Sequence, residues 1–202
     1  MSKIAEKESM VFEKYINYIS NFIKLDQKKI LDIGCGTGNF IKTLQIIKKN
    51  NEIYALDHNE KAVRSLKESN YNVKYFDLNC DNSIPFNQKF DIITMFDVIE
   101  HLNSFVSFDK IIDENLSDNG FIVITTPNSN SLQRYINQSG YTGEFDPTHR
   151  ILYTPYTLDF FLRRRGLTKV INYTPYIFSF KKNIFNQYFM YGGQIFTIYK
   201  KQ

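Results

Sequence analysis

Short apolar runs recur along residues 30–125, and most of the stretches between them carry apolar side chains at helical spacing. The apolar runs predict buried strands, and the amphipathic stretches predict helices that cover them. The predicted strands are Ile30–Gly34, Glu52–Asp57, Tyr71–Phe76, Phe90–Phe96 and Phe121–Thr125. Strands that alternate with helices in this way favour a parallel sheet.

Helical spacing is also found before the first strand and near the end of the chain. The predicted helices cover residues 9–24, 37–48, 60–69, 104–116 and 155–165. Two strands rich in β-branched and aromatic residues, Leu167–Tyr173 and Gln194–Lys200, then predict a hairpin. The aromatic-rich connection between them, residues 176–191, would suit a substrate pocket, a dimer contact or closure of the core. The whole pattern predicts an α/β fold.

The first strand runs directly into Asp32-Ile33-Gly34-Cys35-Gly36-Thr37-Gly38, which has glycines at alternate positions. Glycine allows a sharp strand-to-helix turn and lets a ligand approach the backbone, and the start of the next helix favours an anionic group. The dinucleotide fingerprint needs a glycine at position 39, where this chain has Asn39. Because the chain also lacks a Tyr-x-x-x-Lys pair, a dehydrogenase is disfavoured. A tight turn without a ligand is the remaining alternative.

A carboxylate ends the second strand, since Asp57 comes 19 residues after Gly38. In a βαβ unit this strand end lies beside the glycine turn, so Asp57 can accept hydrogen bonds from two ribose hydroxyls. Capping of the following helix is the alternative role for Asp57, although Asn59 can also serve as the cap. The spacing therefore predicts a nucleoside ligand.

Length and composition set broad limits. A chain of 202 residues with 43% hydrophobic residues suits one domain, and a net charge of +4 allows an anionic substrate without demanding nucleic acid. Cys35 and Cys80 give neither a disulfide framework nor metal spacing, so we expect a reduced, cytoplasmic protein. The charged N-terminus does not resemble a signal peptide, and no apolar run predicts a membrane span.

Ionisable side chains cluster after the fourth strand, where the sequence reads Asp97-Val98-Ile99-Glu100-His101-Leu102. The carboxyl ends of strands in open α/β sheets commonly hold ligands. Thr126-Pro127-Asn128 follows the fifth strand, and a polar segment over residues 127–150 then ends in Asp146-Pro147-Thr148-His149-Arg150. A loop of this length inside a compact domain predicts a lid on the substrate side.

The glycine motif, Asp57, Asp77 after the third strand, Asp97–Leu102 and the polar segment follow one another as in class I S-adenosylmethionine-dependent methyltransferases. The chain resembles the branch that contains ubiquinone-biosynthesis O-methyltransferases and sugar and secondary-metabolite methyltransferases. The resemblance implies a Rossmann-like fold with a seven-stranded, mostly parallel sheet, a C-terminal antiparallel hairpin and helices on both faces. It also implies a single domain over residues 1–202, with a helical cap over residues 1–26.

The same resemblance implies S-adenosyl-L-methionine as the methyl donor and S-adenosylhomocysteine as the product. In this family the glycine loop wraps the methionine half, and the acid after the second strand binds the ribose hydroxyls. Residues after the third strand hold adenine, and residues at the end of the fourth lie near the methionine end. The implied cofactor-binding residues are Asp32, Gly34, Cys35, Gly36, Gly38, Asp57, His58, Asp77, Leu78, Phe96 and Asp97.

Methyl transfer is an in-line displacement, so positioning can supply much of the acceleration, but the acceptor must also lose a proton. His101 and His149 are the candidate catalytic bases, and we prefer His149 because its segment would cover the substrate side. Each histidine could instead make only structural hydrogen bonds. Glu100, Arg150 and Tyr141 are the candidate substrate contacts.

The expected reaction is methyl transfer to an oxygen, or less readily a nitrogen, of a small polar metabolite such as a sugar or a cell-surface glycan precursor. The chain has no recruiting domain for a macromolecule, so we expect a small-molecule acceptor, no nucleic acid, and a monomer or homodimer. A non-enzymatic module that binds S-adenosylmethionine is one alternative.

A metal-assisted RNA 2′-O-methyltransferase is a second alternative. The small-RNA 3′-end 2′-O-methyltransferases hold a divalent metal with Glu-x-x-Glu-His after strand four and a later histidine. The corresponding residues here are Asp97, Glu100, His101 and His149, where Asp97 has a shorter reach than glutamate. Such a mixed carboxylate–imidazole site would suit Mn²⁺ better than Mg²⁺. Because Glu100 and His101 could equally stabilise a turn, we do not expect a bound metal.

Overall fold

The computed structural model describes residues 3–136, 146–175 and 190–202. The strands in these ranges are β1 (Lys29–Ile33), β2 (Glu52–Asp57), β3 (Asn72–Tyr75), β4 (Phe90–Phe96), β5 (Leu116–Pro127), β6 (Leu167–Tyr173) and β7 (Gln194–Lys201). They form one sheet in the order β3-β2-β1-β4-β5-β7-β6. Strands β1 to β5 are parallel, and β7 is antiparallel to both of its neighbours. The predicted parallel sheet and C-terminal hairpin are therefore confirmed.

Helices alternate with the strands along most of the chain. They are α1 (Lys3–Ile19), α2 (Asn39–Ile47), α3 (Glu60–Glu68), α4 (Val106–Lys110), α5 (Gln133–Ile136) and α6 (Pro155–Arg163). A 3₁₀ turn, Ile99–His101, follows β4, and a π-helical turn, Ile111–Asn115, continues α4. None of the helices in the described ranges has the length and hydropathy needed to cross a bilayer.

The sheet is covered on both faces because alternate strand residues point to opposite sides. Leu31 of β1 belongs to a buried layer that contains Leu158 of α6, whereas its neighbour Ile30 belongs to a layer that contains Ile16 of α1 and Leu44 of α2. The predicted placement of helices on both faces is confirmed. The carboxyl ends of β1, β2 and β4 are left accessible at one edge of this sandwich.

The predicted boundaries of two elements were wrong. The N-terminal helix starts before residue 9 and ends at Ile19 rather than at residue 24. Strand β5 begins at Leu116 rather than at Phe121, because residues 117–120 form an excursion between two paired stretches of the strand. Asn119, within this excursion, has a φ angle of 62°, a left-handed conformation that asparagine tolerates better than most residues.

Candidate active site

The glycine loop joins β1 to α2 at the accessible edge of the sheet. Gly34, Gly36 and Gly38 have φ angles of 75°, 51° and 79°, in the left-handed region that favours glycine. A Cβ on Gly34 would lie 2.4 Å from Val98, and a Cβ on Gly38 would lie 2.5 Å from Leu66. A Cβ on Gly36 would meet no described atom within 4 Å. The space beside Gly36 is therefore not filled by any described side chain.

Asp57, at the end of β2, holds this loop in place. Its Oδ2 accepts a hydrogen bond from the Gly36 N–H at 2.7 Å, and its Oδ1 accepts one from the Asn59 N–H at 2.7 Å. Asn59 itself caps α3 by accepting from the N–H groups of Lys61 and Ala62. Each carboxylate oxygen retains a second lone pair for a ligand. The capping role considered for Asp57 thus belongs to Asn59.

A cavity of about 430 Å³ lies along the carboxyl ends of β1, β2 and β4. Six of the residues implied by the family resemblance line it, namely Gly34, Asp57, His58, Asp77, Leu78 and Asp97. Its apolar wall is formed by Ile33, Phe76, Val98 and Leu102. Three carboxylates therefore follow one another along an apolar slot, which suits a ligand with a flat apolar part, hydroxyls and positive charge.

The other implied cofactor residues lie behind or beside the cavity. Asp32 is only 2% exposed, accepts a hydrogen bond from the Thr94 hydroxyl at 2.6 Å, and burial raises its pKa to about 7. Cys35 is buried, and burial raises the pKa of its thiol. The Phe96 ring packs against Phe40, with ring centroids 4.8 Å apart. Together with Gly36 and Gly38, these residues do not line the cavity.

Asn79 and Asn103 also line the cavity, and neither was predicted from the sequence. Asn79 Oδ1 accepts from the Asn103 N–H at 2.7 Å, and Asn79 Nδ2 donates to the His101 carbonyl at 3.3 Å. These bonds tie the loop after β3 to the turn after β4. An asparagine two residues after Asp77 was the only available signal, and it indicates nothing beyond a turn.

The segment before α6 brings further residues to the cavity. Thr148 and Arg150 line it, and the N–H of Arg150 donates to the Glu100 carbonyl at 2.7 Å. The predicted placement of Arg150 at the site therefore agrees with the geometry, whereas Thr148 was not singled out from the sequence. Tyr141 lies outside the described residues.

Glu100 lies beneath the cavity and does not line it. Glu100 is only 1% exposed, and its Oε2 accepts a hydrogen bond from the Thr126 hydroxyl at 2.9 Å. Oε1 is buried and has no hydrogen-bond partner among the described residues. Burial, together with the nearby charge of Asp97, raises the pKa of Glu100 to about 8. Residues 3–136, 146–175 and 190–202 therefore supply a partner for only one oxygen of this carboxyl.

His101 and His149 meet next to Glu100. Their ring centroids are 4.8 Å apart in an edge-to-face arrangement, and ligand atoms from Glu100, His101 and His149 lie within 4.8 Å of one another. The His149 side chain is 9% exposed, and its Nε2 lies 3.9 Å from Asp146 Oδ2. His101 lines the cavity, but His149 does not. Of the two candidate bases, His101 is therefore the one that contacts the cavity, and His149 lies behind it.

Hydrogen bonds fix the tautomer of His101. Its Nδ1 lies 3.2 Å from the Thr148 carbonyl and 3.1 Å from Thr148 Oγ1. Thr148 Oγ1 donates its proton to Asp146 Oδ1 at 2.5 Å, and this bond lowers the pKa of Asp146. Both neighbours of Nδ1 are thus acceptors, so Nδ1 carries the hydrogen. In the neutral imidazole Nε2 then carries the lone pair, and no group in the described part of the chain donates a hydrogen bond to it.

Comparison with known proteins identifies the fold as that of a methyl-transferring enzyme. A family model described as a methyltransferase domain matches residues 6–171. The chain belongs to the methyltransferase domain family. Its cofactor is S-adenosylmethionine, as the sequence predicted. The carboxylate-lined cavity at the glycine loop is the part of this methyltransferase whose chemistry fits that cofactor.

Relatives and a solved structure agree with this membership. The methyltransferase is 29% identical over 116 residues to a histidine protein methyltransferase 1 homolog of Dictyostelium discoideum, an alignment that covers 52% of the chain and 37% of the relative. It is 28% identical over 120 residues to a ubiquinone biosynthesis O-methyltransferase of Rickettsia canadensis, covering 58% of the chain and 49% of the relative. The chain therefore matches half or less of each relative's length.

The fold itself is similar to a solved S-adenosylmethionine-dependent methyltransferase from Archaeoglobus fulgidus. The two chains superpose with a TM-score of 0.67 at 24% identity, over 96% of this chain and 94% of the other. At this level of identity the similarity concerns the fold. The site residues of this methyltransferase must therefore be assigned from its own geometry.

Proposed function

We propose that this methyltransferase transfers the methyl group of S-adenosylmethionine to a hydroxyl oxygen of a small polar metabolite. The observation that carries the choice of oxygen is that His101 lines the cofactor cavity while its Nδ1 is held by the Thr148 carbonyl, which leaves Nε2 as the nitrogen that can accept a proton. A neutral amine can attack before it loses a proton, whereas a hydroxyl is a weak nucleophile that gains from a base already in place. A fixed imidazole acceptor therefore favours O-methylation.

The cavity residues hold the cofactor in this proposal. The bound cofactor supplies a methyl group on a cationic sulfur. Asp57 accepts hydrogen bonds from the ribose hydroxyls with its remaining lone pairs, and Asp77 and Leu78 contact the adenine. Asp97 faces the positively charged methionine end. The three carboxylates thus face the ribose hydroxyls, the adenine amino group and the ammonium group of the ligand, respectively.

The acceptor hydroxyl then needs a position next to His101. As its oxygen forms the new bond to carbon, the carbon–sulfur bond breaks with both electrons remaining on sulfur, and the hydroxyl proton passes to His101 Nε2. The Thr148 carbonyl keeps the opposite nitrogen protonated, so the imidazole accepts the proton only at Nε2. His149 supports the ring edge of His101 in this arrangement.

The rim of the cavity indicates the acceptor class. Arg150 is exposed and lines the same cavity as Asn103 and Thr148, so this cavity offers a cation and two polar side chains to an acceptor. A guanidinium binds phosphate or carboxylate in a paired geometry, while amide and hydroxyl groups bind sugar hydroxyls. A phosphorylated sugar, as found in glycan precursors, combines both features.

The proposed reaction is tested by supplying S-adenosylmethionine with matched acceptors and measuring formation of S-adenosylhomocysteine and the methylated product. The acceptors are nucleotide sugars, the corresponding free sugars, catechol-type phenols, primary amines and a short RNA with a free 3′ end. We expect turnover with a sugar-containing acceptor and at least about tenfold lower kcat/KM without its phosphate, because one charged contact to Arg150 is lost. Turnover with the amines alone would contradict O-methylation, and turnover with the RNA alone would contradict a small-molecule acceptor.

Metal-assisted transfer is a second candidate, favoured by one specific observation. The buried Oε1 of Glu100 has no partner in the described part of the chain, and Glu100, His101 and His149 offer ligand atoms within 4.8 Å of one another. A mixed carboxylate–imidazole set suits Mn²⁺, Zn²⁺ or Fe²⁺ better than Mg²⁺. Asp97, the fourth residue considered from the sequence, is not part of this cluster. A metal at this place would lower the pKa of a hydroxyl that binds it.

Metal removal separates the two candidates. If His101 acts alone as the base, exhaustive chelation leaves kcat within about twofold of the untreated enzyme, because no metal contributes to the barrier. Metal-assisted transfer instead predicts loss of activity that added Mn²⁺ restores. Glu100→Gln is the matched control variant, since it keeps the hydrogen bond from Thr126 but weakens metal ligation. Loss of Mn²⁺ rescue in this variant would favour the metal site over the free base.

A further inference from the structure

A chain of hydrogen bonds connects α1 to Asp97. The Tyr15 hydroxyl donates to Gln194 Oε1 at 2.7 Å, and Gln194 Nε2 donates to Asp97 Oδ1 at 2.8 Å. The Thr125 hydroxyl also donates to Oδ1, at 3.1 Å. Thr125 of β5 and Gln194 of β7 thus converge on one oxygen of a cavity-lining carboxylate, and Tyr15 of α1 reaches it through Gln194.

The direction of each hydrogen bond is fixed by the groups involved. A carboxylate only accepts hydrogen bonds, so the amide nitrogen of Gln194 must face Asp97 and the amide oxygen must face Tyr15. Burial, with the charge of Asp97 as a second cause, raises the pKa of Tyr15, so its hydroxyl keeps the proton that it donates. The tyrosine thereby selects the amide orientation in which Gln194 donates to the carboxylate.

Both ends of this chain are anchored. The Tyr15 ring packs against Phe96, the residue before the carboxylate, with centroids 5.3 Å apart. On the other side, Gly193 precedes Gln194, and its carbonyl accepts a hydrogen bond from the Asn128 N–H at 3.1 Å. The start of β7 is consequently held against the end of β5, which leaves the Gln194 side chain little freedom to move.

One carboxylate oxygen of Asp97 remains available. The two side-chain bonds occupy Oδ1, and no residue in the described part of the chain donates to Oδ2. The backbone at Asp97 has a φ angle of 54°, and its N–H donates to the Thr125 carbonyl at 3.0 Å. The side chain therefore starts from a constrained left-handed turn, with Oδ2 as the atom left for a ligand.

We propose that Tyr15 and Gln194 are positioning residues that orient Asp97 Oδ2 toward the cationic methionine end of S-adenosylmethionine. This proposal rests on the assignment of Asp97 to the methionine end in the proposed function. It gives α1 a part in recognising the amino-acid portion of the cofactor, as distinct from its nucleoside portion. The two portions can be tested with separate ligands.

The test compares S-adenosylhomocysteine with 5′-methylthioadenosine, which has the adenine, ribose and thioether but lacks the amino-acid group. Tyr15→Phe keeps the ring and removes the hydroxyl, and Gln194→Met keeps the length and removes the amide. By calorimetry we expect Tyr15→Phe to lower the affinity for S-adenosylhomocysteine about fivefold and Gln194→Met to lower it about tenfold. The affinity for 5′-methylthioadenosine should change less than about twofold in both variants. Adding Tyr15→Phe to Gln194→Met should have no further effect, because both act through one chain.

Two controls make each outcome decisive. Tyr18→Phe, one turn further along α1, removes the hydroxyl from a ring that packs on Phe22 and should leave the affinity for both ligands unchanged. Equal weakening of both ligands by Tyr15→Phe would indicate a purely structural role and overturn the proposal. If Asp97→Ala leaves S-adenosylhomocysteine binding unchanged, the assignment of Asp97 itself fails. If Asp97→Ala selectively lowers the affinity for S-adenosylhomocysteine while Tyr15→Phe and Gln194→Met do not, only the positioning role is overturned.

Discussion

Asp57→Ala should lower the affinity for S-adenosylhomocysteine by about 100-fold or more, or about 3 kcal/mol, because a charged acceptor is lost from two ribose hydroxyls. The same change leaves the N–H groups of Gly36 and Asn59 without their acceptor. The glycine loop then loses the contact that fixes its open position, which adds to the loss of affinity. Isothermal titration calorimetry with S-adenosylhomocysteine measures the effect directly.

Asn59→Ala is the matched control for Asp57→Ala. It removes the cap of α3 and should cost about 1 kcal/mol of stability, but it keeps the carboxylate at the end of β2. We therefore expect a lower melting temperature with nearly unchanged affinity for S-adenosylhomocysteine. If Asn59→Ala weakens binding as strongly as Asp57→Ala does, the carboxylate acts through loop stability and not through the ribose.

The sequence was informative wherever local pattern determines local structure. The glycine spacing and the acid at the end of β2 could be placed at one edge of the sheet, because parallel strands joined by helices bring their carboxyl ends together. Gly38, in contrast, looked like a ligand contact, but its missing Cβ makes room for Leu66 of α3.

Contacts between distant segments could not be predicted from sequence. Tyr15 and Gln194 are 179 positions apart. Tyr15 is one of several aromatic residues in an amphipathic helix, and Gln194 is a polar residue at the start of a strand, so nothing in the sequence marks either one. The choice between His149 and His101 depends on which ring reaches the cavity, and that is set by how the segment before α6 packs against the turn after β4. Glu100 looked like a substrate contact, but its position in the 3₁₀ turn buries it beneath Thr126.

The early start of β5 is also set by a contact between segments that are distant in sequence. Residues 111–116 have helical apolar spacing, yet Leu116 pairs with Phe90 of β4 and so begins the strand. Pairing with a neighbouring strand outweighs a weak local preference, and the sequence does not show where the neighbour ends. Tertiary contacts therefore decided the boundaries, while the local pattern decided which elements exist.

His101→Ala should lower kcat by about 10²- to 10⁴-fold, the usual contribution of a positioned general base, while the affinity for S-adenosylhomocysteine changes little. The affinity is preserved because the carboxylates of Asp57, Asp77 and Asp97 remain in the cavity wall. Single-turnover methyl transfer with the best acceptor, at saturating cofactor, measures the chemical step separately from product release.

His149→Ala provides the comparison that gives this result its meaning. Its ring supports the edge of His101 but does not line the cavity, so we expect a loss of about tenfold or less from looser positioning of His101. Added imidazole should partly restore the His101→Ala enzyme, since a small base can enter the space left by the side chain. A larger loss of kcat in His149→Ala than in His101→Ala would indicate that His149 is the base. Such a result would mean that Nε2 of His101 accepts no proton from the substrate, despite the acceptors that fix its tautomer.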